Sequence, residues 1–203
     1  MKKNKISKNW INKQRRDIYV RKSKIEGYRS RAAYKIEEIN RKFKLFKGGM
    51  SIIDLGSAPG SWSQYVLNNY KNCKLLSIDH QDIDPIGDSS HIVGDFTVEN
   101  NKTKIKNHFK KKVQVVMSDM AVNTTGNKAL DSMVTGELSI EAMNFSLEVL
   151  DVKGAFISKI FMGSSFNEIV ALSKKNFKKT NIFKPPASRK GSKESFIISQ
   201  FLK

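Results

Sequence analysis

The sequence predicts an α/β protein whose sheet is mostly parallel, has seven strands and carries helices on both faces. Short apolar runs alternate with longer stretches in which apolar residues recur at helical spacing. Runs such as 113–117 and 155–157 are apolar enough for parallel strands that are buried on both faces. A glycine-containing turn at 54–62 joins the first apolar run to a helical pattern. Together these three observations favour an open sheet that binds a ligand at one edge.

The elements follow from the periodicity of the apolar residues. Ala32, Ile36, Ile39, Phe43 and Phe46 recur at helical spacing and predict a first helix that ends at Gly48-Gly49. Strands are predicted at 51–55, 74–79, 91–93, 113–119, 154–159, 180–183 and 195–201. Helices are predicted between them at 61–69, 102–109, 135–150 and 165–176.

Length and composition restrict the class of protein. The 203 residues are 39% hydrophobic, and we expect a single domain over 29–203 after a basic, partly ordered arm at 1–28. The only cysteine, Cys73, excludes an intramolecular disulfide and a cysteine-based zinc cluster, and the scattered histidines predict no metal site. No apolar run approaches the roughly 20 residues of a membrane span, and no apolar signal segment follows the basic N-terminus. We therefore expect a cytoplasmic monomer that does not bind membranes.

The charge balance indicates a polyanionic partner. Lys and Arg number 37 against 19 Asp and Glu, which gives a net charge of +18. Segment 1–24 holds ten basic residues and one acid, Asp17, so it carries half of the net charge. Nucleic acid is the usual partner of so basic a chain. A lysine-rich solvated surface and a disordered solubilising tail remain as alternatives, with a mitochondrial presequence less favoured.

Polar residues close the predicted strands. Asp54, Asp79, Asp119 and Lys159 stand at strand ends, and Asp95 stands just beyond the third strand. In an open α/β sheet, ligands bind outside the carboxyl ends of the strands. We therefore expect a functional site at this edge.

The turn at 54–62 indicates the class of cofactor. Its glycines, Gly56 and Gly60, allow a tight turn and a close approach to a ligand. Ala58 stands where a dinucleotide-binding turn has its second glycine, and Pro59 removes an amide that a pyrophosphate would need. These departures favour a nucleoside cofactor without a pyrophosphate, such as S-adenosylmethionine, whose ribose Asp79 could bind. An ordinary strand–helix turn is the structural alternative.

Five sequence blocks resemble those of the FtsJ/RrmJ-type RNA 2′-O-ribose methyltransferases, in the same order and over about 15–203. They are RSRAAYK at 29–35, DLGSAPGSWSQ at 54–64, SDMA at 118–121, KIF at 159–161, and PPASR at 185–189 with SKE at 192–194. The resemblance implies a Rossmann-like class I S-adenosylmethionine-dependent methyltransferase. Three positions depart from the family pattern, namely Ser61, Val122 and Met162.

The resemblance also implies the site residues. The family's catalytic tetrad falls on Lys35, Asp119, Lys159 and Glu194. Its cofactor contacts fall on the strand ends and the glycine turn: Asp54, Gly56, Ala58, Pro59, Gly60, Trp62, Asp79, Asp95, Phe96 and Asp119. We expect Lys159 to handle the proton of the target hydroxyl. Whether it does so neutral or charged is left open.

The expected RNA contacts are basic residues on either side of the site, which would bind phosphates. Activity should therefore depend strongly on salt concentration. They are Arg29, Arg31, Lys184, Arg189, Lys190 and Lys193. A further loop at 120–133 could close over the cofactor.

Within the family, the sequence is most similar to enzymes that methylate a uridine 2′-hydroxyl in the A-loop of 23S rRNA on the assembled large ribosomal subunit. This activity is therefore the expected one. The same chemistry on tRNA or an mRNA cap is the first alternative. A non-catalytic RNA-binding assembly factor and a nicotinamide dehydrogenase are alternatives from other classes.

Overall fold

The computed structural model describes residues 17–121, 128–163 and 165–203. Most of the predicted basic arm, and the middle of the predicted loop at 120–133 with Val122, lie outside the described residues.

The seven predicted strands form one sheet in the order β3-β2-β1-β4-β5-β7-β6. The strands are β1 (Ser51–Leu55), β2 (Lys74–Asp79), β3 (Ser90–Val93), β4 (Val113–Ser118), β5 (Leu150–Phe161), β6 (Phe177–Phe183) and β7 (Glu194–Leu202). The first five strands are parallel, and β7 runs antiparallel to both β5 and β6. The mostly parallel α/β fold is therefore confirmed.

Helices connect the strands. Within the described residues they are α1 (Ile18–Ile25), α2 (Ala33–Phe43), α3 (Ser61–Asn69), α4 (Glu99–Phe109), α5 (Lys128–Val149) and α6 (Phe166–Asn176). The sequence patterns did not predict α1, which lies in the expected arm and begins after Asp17, whose side chain accepts a hydrogen bond from the amide of Tyr19. No helix within the described residues is both long and apolar enough to cross a membrane.

The first predicted helix ends earlier than expected. The structure ends α2 at Phe43, and Lys44 adopts a left-handed conformation with φ of 54°. The side-chain oxygen of Asn40 accepts hydrogen bonds from the amides of Leu45 and Phe46, at 2.8 and 3.2 Å. These bonds turn the chain before the two glycines. The extension of the helix to Phe46 was therefore wrong, although Phe46 is buried.

Two apolar layers cover the sheet. Ile53 and Leu55 of β1 face the layer of α4, α5 and α6, whereas Ile52 faces the layer of α2 and α3. This alternation follows from the two-residue period of a strand. The carboxyl ends of the parallel strands meet at one side of the sheet, here called the carboxyl edge, and their beginnings form the opposite amino edge.

Candidate active site

Lys159 and Asp119 form a close pair at the carboxyl edge. Asp119 follows β4 and Lys159 lies near the end of β5, so the pairing of these two strands brings them together. The Nζ atom of Lys159 lies 3.0 Å from Oδ1 of Asp119 and donates a hydrogen bond to its backbone carbonyl at 2.5 Å. Both side chains are largely buried. The contact with Oδ1 is thus an ion pair, and the directed hydrogen bond goes to the carbonyl.

Lys35 and Glu194 extend this pair into a chain of alternating charges. Lys35 projects from α2, and its Nζ donates to Glu194 Oε2 at 3.1 Å and to Asp119 Oδ2 at 3.5 Å. Glu194 begins β7, whose antiparallel pairing with β5 brings it to the carboxyl edge. The structure therefore brings all four residues of the predicted tetrad together.

The charges of this cluster stabilise one another. Burial alone would raise the pKa of Asp119, but Lys159 and Lys35 lower it below the usual value for an aspartate. Burial alone would lower the pKa of Lys35, but Asp119 and Glu194 raise it above the usual value for a lysine. Asp119 is therefore an anion and Lys35 a cation at neutral pH.

The glycine turn runs beside this cluster and bounds a small cavity. Gly56 and Gly60 have φ of 70° and 97°, a region that favours glycine. The cavity is lined by Ala32, Asp54, Gly56, Ser57, Ala58, Pro59, Ser61, Trp62 and Asp119. Asp119 thus belongs both to the charged cluster and to the cavity wall.

Two polar atoms of the cavity lining are buried without a hydrogen-bond partner among the described residues. They are the hydroxyl of Ser57 and Oδ1 of Asp119. Buried polar atoms are usually satisfied, so their presence together is consistent with a ligand that carries hydrogen-bond donors. Oδ1 already has a positively charged neighbour in Lys159, at 3.0 Å, so the hydroxyl of Ser57 is the atom left without any polar partner among the described residues.

The other predicted cofactor residues lie around the turn in different environments. Asp79 accepts from the amide of Ala58 with one oxygen and from that of Gln81 with the other, each at 2.9 Å. Asp95 is partly exposed and accepts from Thr97, which contributes to lowering its pKa. The ring of Phe96 is 3% exposed and packs in the apolar core, so its side chain is not available to a ligand.

A segment before α2 is held against the glycine turn by side chains to which sequence reasoning assigned no contact. Gln64 accepts from the amide of Arg29 at 2.9 Å and donates to the carbonyl of Gly27 at 2.8 Å. The hydroxyls of Ser61 and Ser30 lie 2.7 Å apart. Ser61, a departure from the family pattern, therefore ties the turn to the segment that leads to Lys35. Only the polar pattern SWSQ could have indicated these contacts.

The predicted RNA-contacting arginines are engaged within the protein. Arg29 donates to the carbonyls of Pro59 and Pro85, at 3.0 and 2.9 Å. Arg31 donates to the carboxylate of Asp17 and to the carbonyl of Ala187, so it joins the start of α1 to the loop before β7. In this structure both arginines brace loops around the site.

A polar cleft lies next to Lys35 and Glu194. It has a volume of about 400 Å³ and is lined by Ser30, Arg31, Ala32, Lys35, Arg189, Gly191, Ser192 and Glu194. Arg189 lies 3.6 Å from Asp17, and its Nε is buried without a hydrogen-bond partner among the described residues. Lys190 and Lys193 are exposed nearby, and Lys184 donates to the carbonyl of Ser192 at 2.5 Å. The cleft is large enough for part of a nucleotide.

Comparison with known proteins identifies close relatives. A model of the FtsJ-like methyltransferase family matches residues 28–201. A Pelagibacter ubique protein named ribosomal RNA large subunit methyltransferase E is 61% identical over 203 residues, which cover all of both chains. The protein of the same name from Rickettsia felis is 44% identical over 95% of this chain and 88% of its own length.

Solved structures share the fold. The crystal structure of a candidate ribosomal RNA methyltransferase from Plasmodium falciparum is 31% identical, with a TM-score of 0.77 over 86% of this chain and 98% of its own. A candidate methyltransferase from Streptococcus mutans, solved in complex with S-adenosylhomocysteine, has a TM-score of 0.54 at 12% identity. It covers 82% of this chain and 97% of its own, and this likeness concerns the fold alone.

Proposed function

Because the chain belongs to the FtsJ-like methyltransferase family, it is a methyltransferase, and we propose that it methylates a ribose 2′-hydroxyl of large-subunit ribosomal RNA with S-adenosylmethionine. One observation carries the proposal: Asp119 lines the cavity beside the glycine turn and also anchors the cluster of Lys159, Lys35 and Glu194. A methyl donor in the cavity and a hydroxyl at the cluster would therefore be neighbours.

The polar lining of the cavity, whose volume in this structure is about 30 Å³, matches part of S-adenosylmethionine. The ammonium group of this cofactor would donate to the unpartnered hydroxyl oxygen of Ser57 and to a remaining lone pair of Asp119 Oδ1, which also lies 3.0 Å from Lys159. Asp79 keeps lone pairs for ribose hydroxyls. The remaining contacts would come from Asp54, Asp95, Trp62 and the backbone of Gly56, Ala58, Pro59, Gly60 and Phe96. When bound, this cofactor supplies a methyl group on a positively charged sulfur. A nucleophilic oxygen can bond to the methyl carbon, and the sulfur is then the leaving group.

Lys159 would orient the target hydroxyl. In its ammonium form Lys159 has three N–H donors, and two of them face Asp119. The third is free to donate to the hydroxyl oxygen, which leaves a lone pair of that oxygen directed at the cofactor side. An oxygen that has gained a methyl group is strongly acidic, so its proton can pass to water without a strong base. Alignment is the main task, since positioning can lower a barrier by roughly 7–11 kcal/mol.

The target nucleotide would lie in the cleft beside Lys35 and Glu194. Lys35 and Glu194 would hold the ribose, and Arg189, Lys190 and Lys193 would contact phosphates. Arg29, Arg31 and Lys184 would support these contacts from their bonded positions. The names of the relatives support large-subunit ribosomal RNA as the substrate. The choice of a uridine in the A-loop of 23S rRNA, on the assembled large subunit, rests on the sequence resemblance alone.

The experiment is transfer of radiolabelled methyl from S-adenosylmethionine to undermethylated large ribosomal subunits, free large-subunit rRNA or bulk tRNA. We expect label on the subunits, at a ribose that resists alkaline cleavage. Label on tRNA alone would overturn the substrate but keep the chemistry. Absence of label on every RNA would overturn the proposal.

Lys159→Ala should separate catalysis from binding. We expect turnover to fall at least about 10²-fold, the cost of losing the alignment of the hydroxyl, while the Kd for the cofactor stays within about twofold. Lys104→Ala, which removes an exposed lysine of α4, should keep the turnover of the parent. Equal losses of turnover and cofactor affinity in Lys159→Ala would mean that Lys159 binds the cofactor.

A further inference from the structure

Exposed lysines are concentrated at the amino edge of the sheet, away from the candidate active site. They lie before β4, near the start of β5, at the end of α6 and at the start of β6. They are Lys110, Lys111, Lys112, Lys153, Lys174, Lys175, Lys178 and Lys179, here called the amino-edge lysines. The strand order β4-β5-β7-β6 makes these segments neighbours along one side of the molecule.

These lysines have little negative charge to balance them. Among the described residues, none of the eight forms an ion pair with a carboxylate. Two acids lie in the same region: Glu148 pairs with Lys106 at 2.6 Å, and Asp151 accepts from the amide of Lys153 at 2.9 Å. Helix dipoles favour lysines at helix ends such as Lys174 and Lys175, but they do not account for Lys153, Lys178 and Lys179 on strands.

The carboxyl edge differs, because acids there offset the arginines and lysines around the active site. Its strand ends, the loop after β2 and the start of β7 carry Asp54, Asp79, Asp82, Asp84, Asp88, Asp95, Asp119 and Glu194. An RNA backbone that approaches the active site therefore meets many carboxylates as well as arginines and lysines. The unbalanced positive charge of the described residues lies largely on the other edge.

From this distribution we propose that the amino-edge lysines form a second RNA-binding surface, which contacts phosphates of the same RNA far from the methylated nucleotide. The inference rests on the proposed RNA substrate. The two edges are separated by the height of the sheet, about 20 Å for strands of six residues. Charges are screened beyond about 8 Å at physiological ionic strength, so these lysines act only on phosphates that reach them. The preferred substrate is accordingly a large folded RNA that contacts both edges.

Neutralisation of four amino-edge lysines tests this surface. The variant combines Lys174→Gln, Lys175→Gln, Lys178→Gln and Lys179→Gln in the full chain, and the matched control replaces the same four by arginine, which keeps the charge. Equilibrium binding would be measured for large ribosomal subunits and for a short RNA stem–loop with the target sequence. Cofactor binding and the melting temperature check that each variant is folded.

For the glutamine variant we expect the Kd for subunits to rise at least about tenfold, with the Kd for the stem–loop within about twofold of the parent. For the glutamine variant, the slope of log affinity against log salt concentration should decrease in magnitude by up to about 3, because four phosphate contacts are lost. The arginine variant should match the parent on both RNAs.

Three outcomes would overturn the inference. An unchanged Kd for subunits means that the lysines are only solvated. An equal rise for both RNAs means that they act on the active site itself. If the arginine variant loses as much affinity for subunits as the glutamine variant, the contacts require lysine itself and not only its charge, as in a contact with a ribosomal protein. Because binding is measured directly, these results can be read even if the parent transfers no methyl group, the outcome that would instead refute the proposed function.

Discussion

Asp54 is a buried carboxyl group in the cavity lining, and its environment makes it sensitive to pH. Burial raises its pKa to about 7, the hydrogen bond from Ser63 at 2.6 Å opposes this rise, and the nearby charge of Asp119 adds to it. In the unfolded chain the same group has its ordinary pKa of 3.8. Between these two values the folded protein holds a proton that the unfolded chain has released.

The free energy of unfolding should therefore fall as pH rises from about 4 to about 7. The contribution of Asp54 is at most about 4 kcal/mol over this range, since each pKa unit is about 1.4 kcal/mol. Asp54→Asn keeps the size of the side chain and removes this titration. We expect the difference in stability between variant and parent, measured by urea unfolding, to grow in favour of the variant towards pH 8. A difference that does not change with pH would mean that Asp54 is ionised throughout.

Gly56 is required by space as well as by backbone conformation. A Cβ at this position would lie 2.2 Å from Cγ and 3.1 Å from Cα of Met120, so Met120, the neighbour of Asp119, would have to shift. We expect Gly56→Ala to weaken cofactor binding at least about tenfold, measured by calorimetry. Gly49→Ala is the matched control, because Gly49 also has a positive φ, of 79°, but has no atom within 4 Å. Similar losses in both variants would attribute the effect to backbone strain alone.

At the scale of single residues, some of the site could be inferred from sequence and some could not. Asp119 and Lys159 follow from the rule that ligands bind at strand ends, because both close strands of a parallel sheet. Lys35 and Glu194 lie on a helix and at the start of an antiparallel strand, and only the family resemblance indicated them. The engagement of Arg31 with Asp17 depends on packing between distant segments, which periodicity does not report.

The element α2 shows how a side chain can end a helix before its apolar pattern ends. The spacing of apolar residues continues to Phe46, but the bonds from Leu45 and Phe46 to Asn40 replace the helical ones. Periodicity records which residues are buried, and Phe46 is buried although it lies beyond the end of the helix. The end of a helix depends instead on local hydrogen bonds, which are the least predictable part of an element.

Lys44 terminates α2 at a small cost that a substitution can remove. Its φ of 54° and ψ of 53° are left-handed, a conformation that costs a residue with a Cβ roughly 1–2 kcal/mol. Lys44→Gly should therefore raise the free energy of unfolding by about 1 kcal/mol, after the larger entropy of glycine in the unfolded chain is counted. Lys44→Ala keeps the Cβ and should show no such gain in urea unfolding. A gain in both variants would point to the charge of Lys44 as the cause.

At the scale of the whole molecule, fold and charge follow from different information. The order of the sheet could be expected in outline from alternating strands and helices, because parallel strands need crossover connections. Net charge could be counted, but its distribution between an edge of mixed charge and a lysine-rich edge appears only when the strands are assembled. The described part of α1 likewise depends on contacts such as that of Tyr19 with Glu38, at 3.1 Å, which join segments distant in sequence.

The basic residues at 1–16 give the last prediction, which depends on charge alone. This segment carries seven Lys and Arg residues and no acid. A chain that begins at Asp17 keeps α1 and its capping side chain but loses these seven charges.

If each of these charges contacts an RNA phosphate, the slope of log affinity against log salt should become less steep by up to about 5. Binding to large subunits at several salt concentrations measures this slope, and cofactor affinity should stay unchanged because the cavity is built from residues after 31. An unchanged slope would mean that the segment makes no phosphate contacts, and RNA binding would then depend on the two edges of the sheet.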